Sequence, residues 1–205
     1  MRLYWRPGTA SMAPHAALAE IELDYELVRI ERADDGTISP ADYLELNPWG
    51  RVPTLVDGEL VLTESAAILL HLGDRYPGAR LAPGGDRAHY YRWLVFLTNT
   101  VQPAFLRFFY PERYGDAGVE EKAAEELRHD FDRLDAELDG REWLVGDHRT
   151  AADLYLFMLT RWGRRLDPPA WDRPALRAHF LRTYALPGVR RMVDEQGLEL
   201  PDWAR

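Results

Sequence analysis

The sequence predicts an α/β domain built on a mixed four-stranded sheet, followed by an all-helical domain. Three observations predict it. Residues 1 to about 76 mix strand-like and helical pieces, whereas the pattern from about 86 onward is almost wholly helical. Between them runs Tyr76-Pro77-Gly78-Ala79-Arg80-Leu81-Ala82-Pro83-Gly84-Gly85, whose prolines and glycines mark a linker. The boundaries are therefore 1–77, 78–85 and 86–205. Finally, Asp57-Gly58 lies between Thr54-Leu55-Val56 and Glu59-Leu60-Val61-Leu62. It is the strongest hairpin signal in the chain, because Asp-Gly supplies the positive φ of a tight turn.

Leu3-Tyr4-Trp5 reads as a short strand and Arg6 to Ala10 as a turn. Ser11 can cap a helix over about 12–20, with Pro14 tolerated in its first turn. Tyr25 to Ile30 reads as a second strand, 31–39 as a loop, and Glu64 to Tyr76 as a helix. The first β-α-β unit demands a parallel pair, to which the hairpin adds antiparallel strands. Asp86 to Tyr110 is helical, with a kink expected at Pro103. Val119, Ala123, Leu127, Phe131, Leu134 and Leu138 form one apolar helix stripe. Leu154 to Trp162 is apolar nearly all round and predicts a central buried helix. Two shorter helices are expected near 172–183 and 187–196.

Composition excludes several function classes. The chain of 205 residues has no cysteine, which rules out disulfides, thiolate-ligated metals and a protein thiol nucleophile. Its net charge of −9 leaves no overall basic footprint for nucleic acid. The six histidines show no metal-ligand spacing, so no metal is expected, and they read as helix or surface residues. There is no signal-peptide core near the N-terminus, and no apolar run approaches the ~20 residues of a membrane span. A soluble, cytoplasmic protein with no membrane partner is expected.

Two motifs point to chemistry. In Asn47-Pro48-Trp49-Gly50-Arg51-Val52-Pro53-Thr54, Pro53 stands directly before a strand. A cis bond there would present the Val52 N–H and C=O to an extended peptide-like ligand; a plain turn proline is the alternative. In Thr63-Glu64-Ser65, Ser65 opens a helix whose N–H groups attract an anion, and Glu64 can accept from an ammonium group. The alternative there is a simple cap.

Together these motifs make the chain resemble the glutathione S-transferase superfamily. That superfamily has a thioredoxin-like N-terminal domain, a cis-proline before its third strand, a Glu/Gln-Ser pair opening its third helix, and a helical C-terminal domain. A further match is Gly146-Asp147 followed by Thr150-Ala151-Ala152-Asp153, a capping box. The N-terminus resembles the bacterial beta class, except that Ala10 stands where that class usually has cysteine. The resemblance implies attack of glutathione thiolate on a hydrophobic electrophile, glutathione as co-substrate, and a homodimer. It also implies roles. Val52 and Pro53 meet the cysteinyl backbone, Glu64 and Ser65 the γ-glutamyl end, and Arg51 the glycyl carboxylate unless it is a solvated loop residue. Trp5, Asn99, Phe105, Phe108 and Trp162 would shape the electrophile pocket, with core packing as the alternative for the aromatics.

Without a cysteine at position 10, the thiol must be activated non-covalently. Lowering its pKa by about two units requires about 2.7 kcal/mol. A helix N-terminus supplies about 0.3–1 kcal/mol, and a hydrogen bond to a charged group about 1.5–3 kcal/mol. The dipole alone falls short, so a hydroxyl donor at the same helix end is expected. Ser11 is the first candidate, unless it only caps the helix, and Thr9 the second. Two other functions are compatible with the residues: glutathione-dependent reduction of a disulfide or peroxide, and a non-catalytic binding or regulatory role on the same fold.

Overall fold

A computed structural model describes residues 1–33, 35–85 and 87–204. Asp86 and Arg205, the ends of the expected helical domain, lie outside the described residues. The chain forms two compact units, Met1–Leu81 together with Leu186–Arg205, and Ala82–Ala185. Among the described residues no helix is long and apolar enough to cross a membrane.

In the first unit, β1 (Arg2–Trp5), β2 (Glu26–Arg29), β5 (Thr54–Asp57) and β6 (Leu60–Thr63) form one sheet in the order β2-β1-β5-β6. β1 runs parallel to β2 and antiparallel to β5, and β5 pairs antiparallel with β6 across the Asp57-Gly58 turn. This is the expected mixed sheet. Leu3 and Leu55, partners in the register, are both fully buried. Residues 31–39, expected as loop, contain a ribbon of β3 (Glu31–Arg32) and β4 (Ile38–Ser39). Two residues per strand are too few to show an alternating pattern. A short α2 (Tyr43–Leu46) follows.

α1 (Met12–Ile21) buries every residue from Met12 to Ala19 because it packs against both α3 (Ser65–Arg75) and α9 (Pro187–Glu195). The α1–α9 approach requires glycine at 188. A Cβ there would lie 2.6 Å from the Glu20 amide nitrogen and 2.8 Å from the Ala19 carbonyl carbon. The sequence reading assigns α9 to the helical domain, but its packing partner is α1. A linear charge and periodicity pattern carries no information about that choice.

In the second unit, α4 (Ala88–Phe96) passes through a π-helical turn, Leu97–Val101, into α5 (Gln102–Phe109). Pro103, where a kink is expected, follows that wider turn directly. Pro103 itself sits in the first turn of α5, where its missing N–H does no harm. α6 (Val119–Leu138) buries five of the six stripe residues, Val119 being half-buried. All twelve residues of α7 (Ala151–Trp162) are buried, as its all-round apolarity predicts. Its capping box is present: the Thr150 N–H donates to Asp153 Oδ2 at 2.7 Å. Asp153 Oδ1 accepts the Leu144 N–H at 2.9 Å and faces His179 Nε2 of α8 (Pro174–Tyr184) at 3.0 Å. His179, expected as a helix or surface residue, is on a helix and is a buried partner of the box.

Candidate functional site

The sheet register assembles the site. Thr54 opens β5 and pairs with Tyr4 near the end of β1 and with Thr63 at the end of β6. The three segments just beyond these residues therefore leave the sheet at one edge. They are Arg6–Ser11 after β1, Arg51–Pro53 before β5, and Glu64–Ser65 after β6. A hydrogen bond ties two of them together: the Ser65 hydroxyl donates to the Ala10 carbonyl at 3.0 Å.

The Val52–Pro53 bond is cis, as expected. Val52 is half-buried, and neither its N–H nor its C=O bonds another described residue. The residue before it is firmly held. The Arg51 carbonyl accepts from Asn47 Nδ2 at 2.7 Å and from the Tyr43 hydroxyl. Tyr43 also lies 2.8 Å from Thr54 Oγ1, to which Asn47 Nδ2 donates at 3.1 Å. Asn47 Oδ1 in turn accepts the Trp49 N–H at 3.1 Å. Tyr43, Asn47 and Thr54 are all buried, and burial raises the Tyr43 pKa above its ordinary value. Sequence reasoning missed this brace. Its one visible signal is the Asn47-Pro48-Trp49-Gly50 turn, whose asparagine type favours side-chain bonding two residues on. The Arg51 side chain is exposed and its guanidinium pairs with no described residue.

Glu64 lies at φ 68°, ψ 118°, a backbone state that a residue with a side chain rarely adopts. It is exposed, and α3 begins immediately after it. The first N–H groups of α3 have no partner within the helix. Strain of this kind is retained where surrounding structure imposes it, and it clusters at ligand clamps.

The Arg6–Ser11 turn corrects the expectation for Ser11. Its hydroxyl is fully buried, accepts the Arg6 N–H at 3.3 Å and donates to the Arg6 carbonyl at 3.0 Å. It also lies 2.9 Å from Thr9 Oγ1, which reaches the same carbonyl at 2.8 Å. Ser11 therefore closes the turn instead of facing outward, and it makes no side-chain cap to α1. A sequence shows the hydroxyl but not which way the turn rotates it. By contrast, the main-chain N–H groups of half-buried Thr9 and Ala10 bond no described residue.

Comparison with known proteins places the chain in a family. A model of the glutathione S-transferase N-terminal domain matches residues 1–74, and one of the C-terminal domain matches residues 97–187. Glutathione S-transferase GST-4.5 of Xanthomonas campestris pv. campestris is 38% identical, over 97% of this chain and 100% of its own length. The chain belongs to the glutathione S-transferase superfamily. A sphingomonad glutathione S-transferase solved with glutathione has a TM-score of 0.83 and 33% identity, covering 97% of this chain and 100% of its own. A beta-class glutathione S-transferase from Sphingomonas chungbukensis has a TM-score of 0.85 and 31% identity, with the same coverage.

Of the residues expected to shape an electrophile pocket in this glutathione S-transferase, Asn99 alone is exposed, on the π-helical turn. Phe105 is fully buried, edge-on to Phe131 and to Trp162 at 5.9 and 5.7 Å. Phe108 and Trp162 are buried in the same unit. Trp5 is buried in the first unit, 6.1 Å from the His15 ring. These four pack cores. Aromatic residues at helical spacing look alike in sequence whether they face a core or a cleft.

His15, expected as a helix or surface residue, lies in α1 and is fully buried, with Nε2 2.7 Å from Glu195 Oε2. The Tyr25 hydroxyl donates to the same oxygen at 2.9 Å, and Arg191 Nε donates to Glu195 Oε1 at 2.8 Å. Burial holds the His15 pKa below its usual value, although Glu195 pulls the other way. Burial would raise the Glu195 pKa, but hydrogen bonds from Arg191, His15 and Tyr25 together hold it below the usual carboxylate value. His15 and Tyr25 lie 180 and 170 residues from Glu195 in sequence, so the only local signal of this cluster is the Arg191–Glu195 spacing of four on α9.

Proposed function

We propose that the protein is a glutathione transferase: it binds glutathione at this sheet edge and catalyses attack of the thiolate on an electrophilic carbon. One observation carries the reading. Three segments with unpaired main-chain polar groups, or with a strained residue at a helix start, converge where the register of β1, β5 and β6 ends. Val52 pairs through its N–H and C=O with the cysteinyl backbone, in the manner of an added strand. The start of α3 takes the γ-glutamyl carboxylate and Glu64 accepts from its ammonium. Arg51 pairs with the glycyl carboxylate. Ser65 acts through its bond to Ala10, keeping the α1 turn against the α3 start.

Activation of the thiol falls to the Thr9 and Ala10 amides rather than to the Ser11 hydroxyl. A hydrogen bond to an anion contributes about 1.5–3 kcal/mol, which with the dipole of α1 reaches the amount that a shift of about two pKa units requires. As the carbon–sulfur bond forms, the bond to the leaving group breaks and that group departs with its electron pair. The thiol proton has already passed to solvent. The electrophile is a small hydrophobic molecule. A homodimer is proposed on the family resemblance, and a cytoplasmic setting fits the location of the glutathione pool.

Calorimetric titration with glutathione tests the site, and turnover of 1-chloro-2,4-dinitrobenzene tests the reaction. Binding with chloride displacement is expected. Binding without conjugation, but with turnover of a glutathione mixed disulfide, would assign the reductase function instead. No heat on titration would remove the site altogether.

A further inference from the structure

The Arg6–Ser11 turn is held from a distance. The Gly8 N–H donates to Gln196 Oε1 at 3.1 Å, and Gly8 lies at φ 66°. Gln196 caps the C-terminus of α9 and is buried, 4% exposed. Because its Oε1 accepts from Gly8, its Nε2 must be the group facing His15 Nδ1, at 3.1 Å. An amide nitrogen only donates, so Nδ1 of the buried ring accepts and Nε2 carries the proton toward Glu195. Burial, which disfavours a charged ring, supports that neutral tautomer. The result is one directed chain: Gly8 to Gln196, Gln196 to His15, His15 to Glu195. Each member has its polarity set by the next.

We infer that Gln196 is a positioning residue for the glutathione thiol: by holding the Gly8 N–H it sets the direction of the following Thr9 and Ala10 amides. The inference rests on the thiol site proposed above and extends it to the last turn of α9. Two amides aimed at a sulfur lose their effect with small rotations, because a hydrogen bond weakens steeply as its angle closes. The turn has no regular secondary structure of its own to prevent such rotation. Its internal bonds converge on Arg6 through Thr9 and Ser11, which fixes one side. Gln196 holds the other side. The glutathione-binding groups at Val52 and Glu64 lie outside this chain, so loss of Gln196 should separate activation from affinity.

Gln196→Met keeps side-chain length and removes both hydrogen bonds. The bound thiol pKa, read from thiolate absorbance against pH, is expected to rise by about one unit, cutting the thiolate present well below that pKa about tenfold. Turnover of 1-chloro-2,4-dinitrobenzene should fall about as much, while the glutathione KM stays within about threefold. Gln196→Glu keeps an acceptor for Gly8, takes a proton between its second oxygen and His15 Nδ1, and should restore part of the thiolate. Glu195→Gln disturbs the far end of the chain without touching Gly8 and should cost stability without moving the thiol pKa.

An unchanged thiol pKa in Gln196→Met would overturn the inference. So would equal shifts in Gln196→Met and Glu195→Gln, because general loosening of α9 would then suffice. If Gln196→Met does not fold cooperatively, Gln196→Asn replaces it; its shorter side chain cannot span both partners, and the same shift is required of it. Wild-type protein that binds no glutathione would overturn the site itself. Wild-type binding with an unmoved thiol in the variants would overturn only the role of Gln196.

Discussion

Replacing Asn47 by alanine tests whether the buried brace behind Arg51 supports the site. Asn47 is 3% exposed and makes three well-formed bonds: to the Arg51 carbonyl at 2.7 Å, to Thr54 Oγ1 at 3.1 Å and from the Trp49 N–H at 3.1 Å. At about 1 kcal/mol net each, their loss amounts to about 3 kcal/mol. Two of the partners are not orphaned, since Tyr43 still reaches both the Arg51 carbonyl and Thr54. Trp49 is 81% exposed, so water can replace the third bond. The expected loss is therefore about 2 kcal/mol, below the figure for a fully stranded group. Urea unfolding at fixed protein concentration measures it. With m near the upper end of about 1–3 kcal/mol/M, the midpoint should fall by about 0.7 M. Calorimetry should show glutathione affinity reduced about tenfold, which is 1.4 kcal/mol of lost anchorage for Val52. A midpoint shift below about 0.2 M would refute the hydrogen-bond accounting. The full stability loss with unchanged glutathione affinity would refute the link between brace and site.

Three further outcomes follow from other parts of the same unit. Glu64→Gly removes the strain of a side chain at φ 68° and should stabilise the fold by up to about 1 kcal/mol, while losing about tenfold or more in glutathione affinity; a destabilised Gly variant would show that no strain is held there. Ser11→Ala should cost about 1–2 kcal/mol in unfolding, because it removes the bonds to the Arg6 N–H and carbonyl, yet Thr9 Oγ1 still holds that carbonyl, so the bound-thiolate pKa should rise by well under one unit. A rise of about one unit would restore Ser11 as the direct donor. Acid should weaken the fold in two stages. The folded His15 pKa lies below its unfolded value of 6.5, so below that pH the unfolded chain gains the proton first and stability falls until the folded ring titrates too. Glu195 is also held below its unfolded value of 4.5, so its contribution is lost as pH falls through the lower folded pKa. Melting temperature against pH reads both stages, and Glu195→Gln should abolish the second.

Several features were legible because one short segment carries them. The Asp57-Gly58 hairpin needs only a positive φ between two apolar runs, and the register follows it. The α6 stripe and the all-apolar α7 each record a single environment repeated along one helix. The Pro53 and Glu64-Ser65 motifs stand at one sheet edge because the hairpin joining them is ten residues long and rigid in register. The roles of Phe105, Phe108 and Trp162 were not legible, since periodicity reports that a face is covered but not by what. Nor was the rotation of Ser11, which depends on whether the Arg6 carbonyl or open space lies within reach of its one proton.

Local stereochemistry and apolar spacing therefore determined, from the amino-acid order alone, the mixed sheet, the helical second half and the positions where a peptide-like ligand finds unpaired backbone. Only folding decided that Gln196 and Glu195 would close on Gly8 and His15, that Asn47 and Tyr43 would share the Arg51 carbonyl, and that α9 would lie against α1. The physical reason is the range of the forces. Torsional preference and hairpin closure act within a few residues and leave a pattern there. A hydrogen bond between groups some 180 residues apart acquires its strength only once the surrounding core has excluded water.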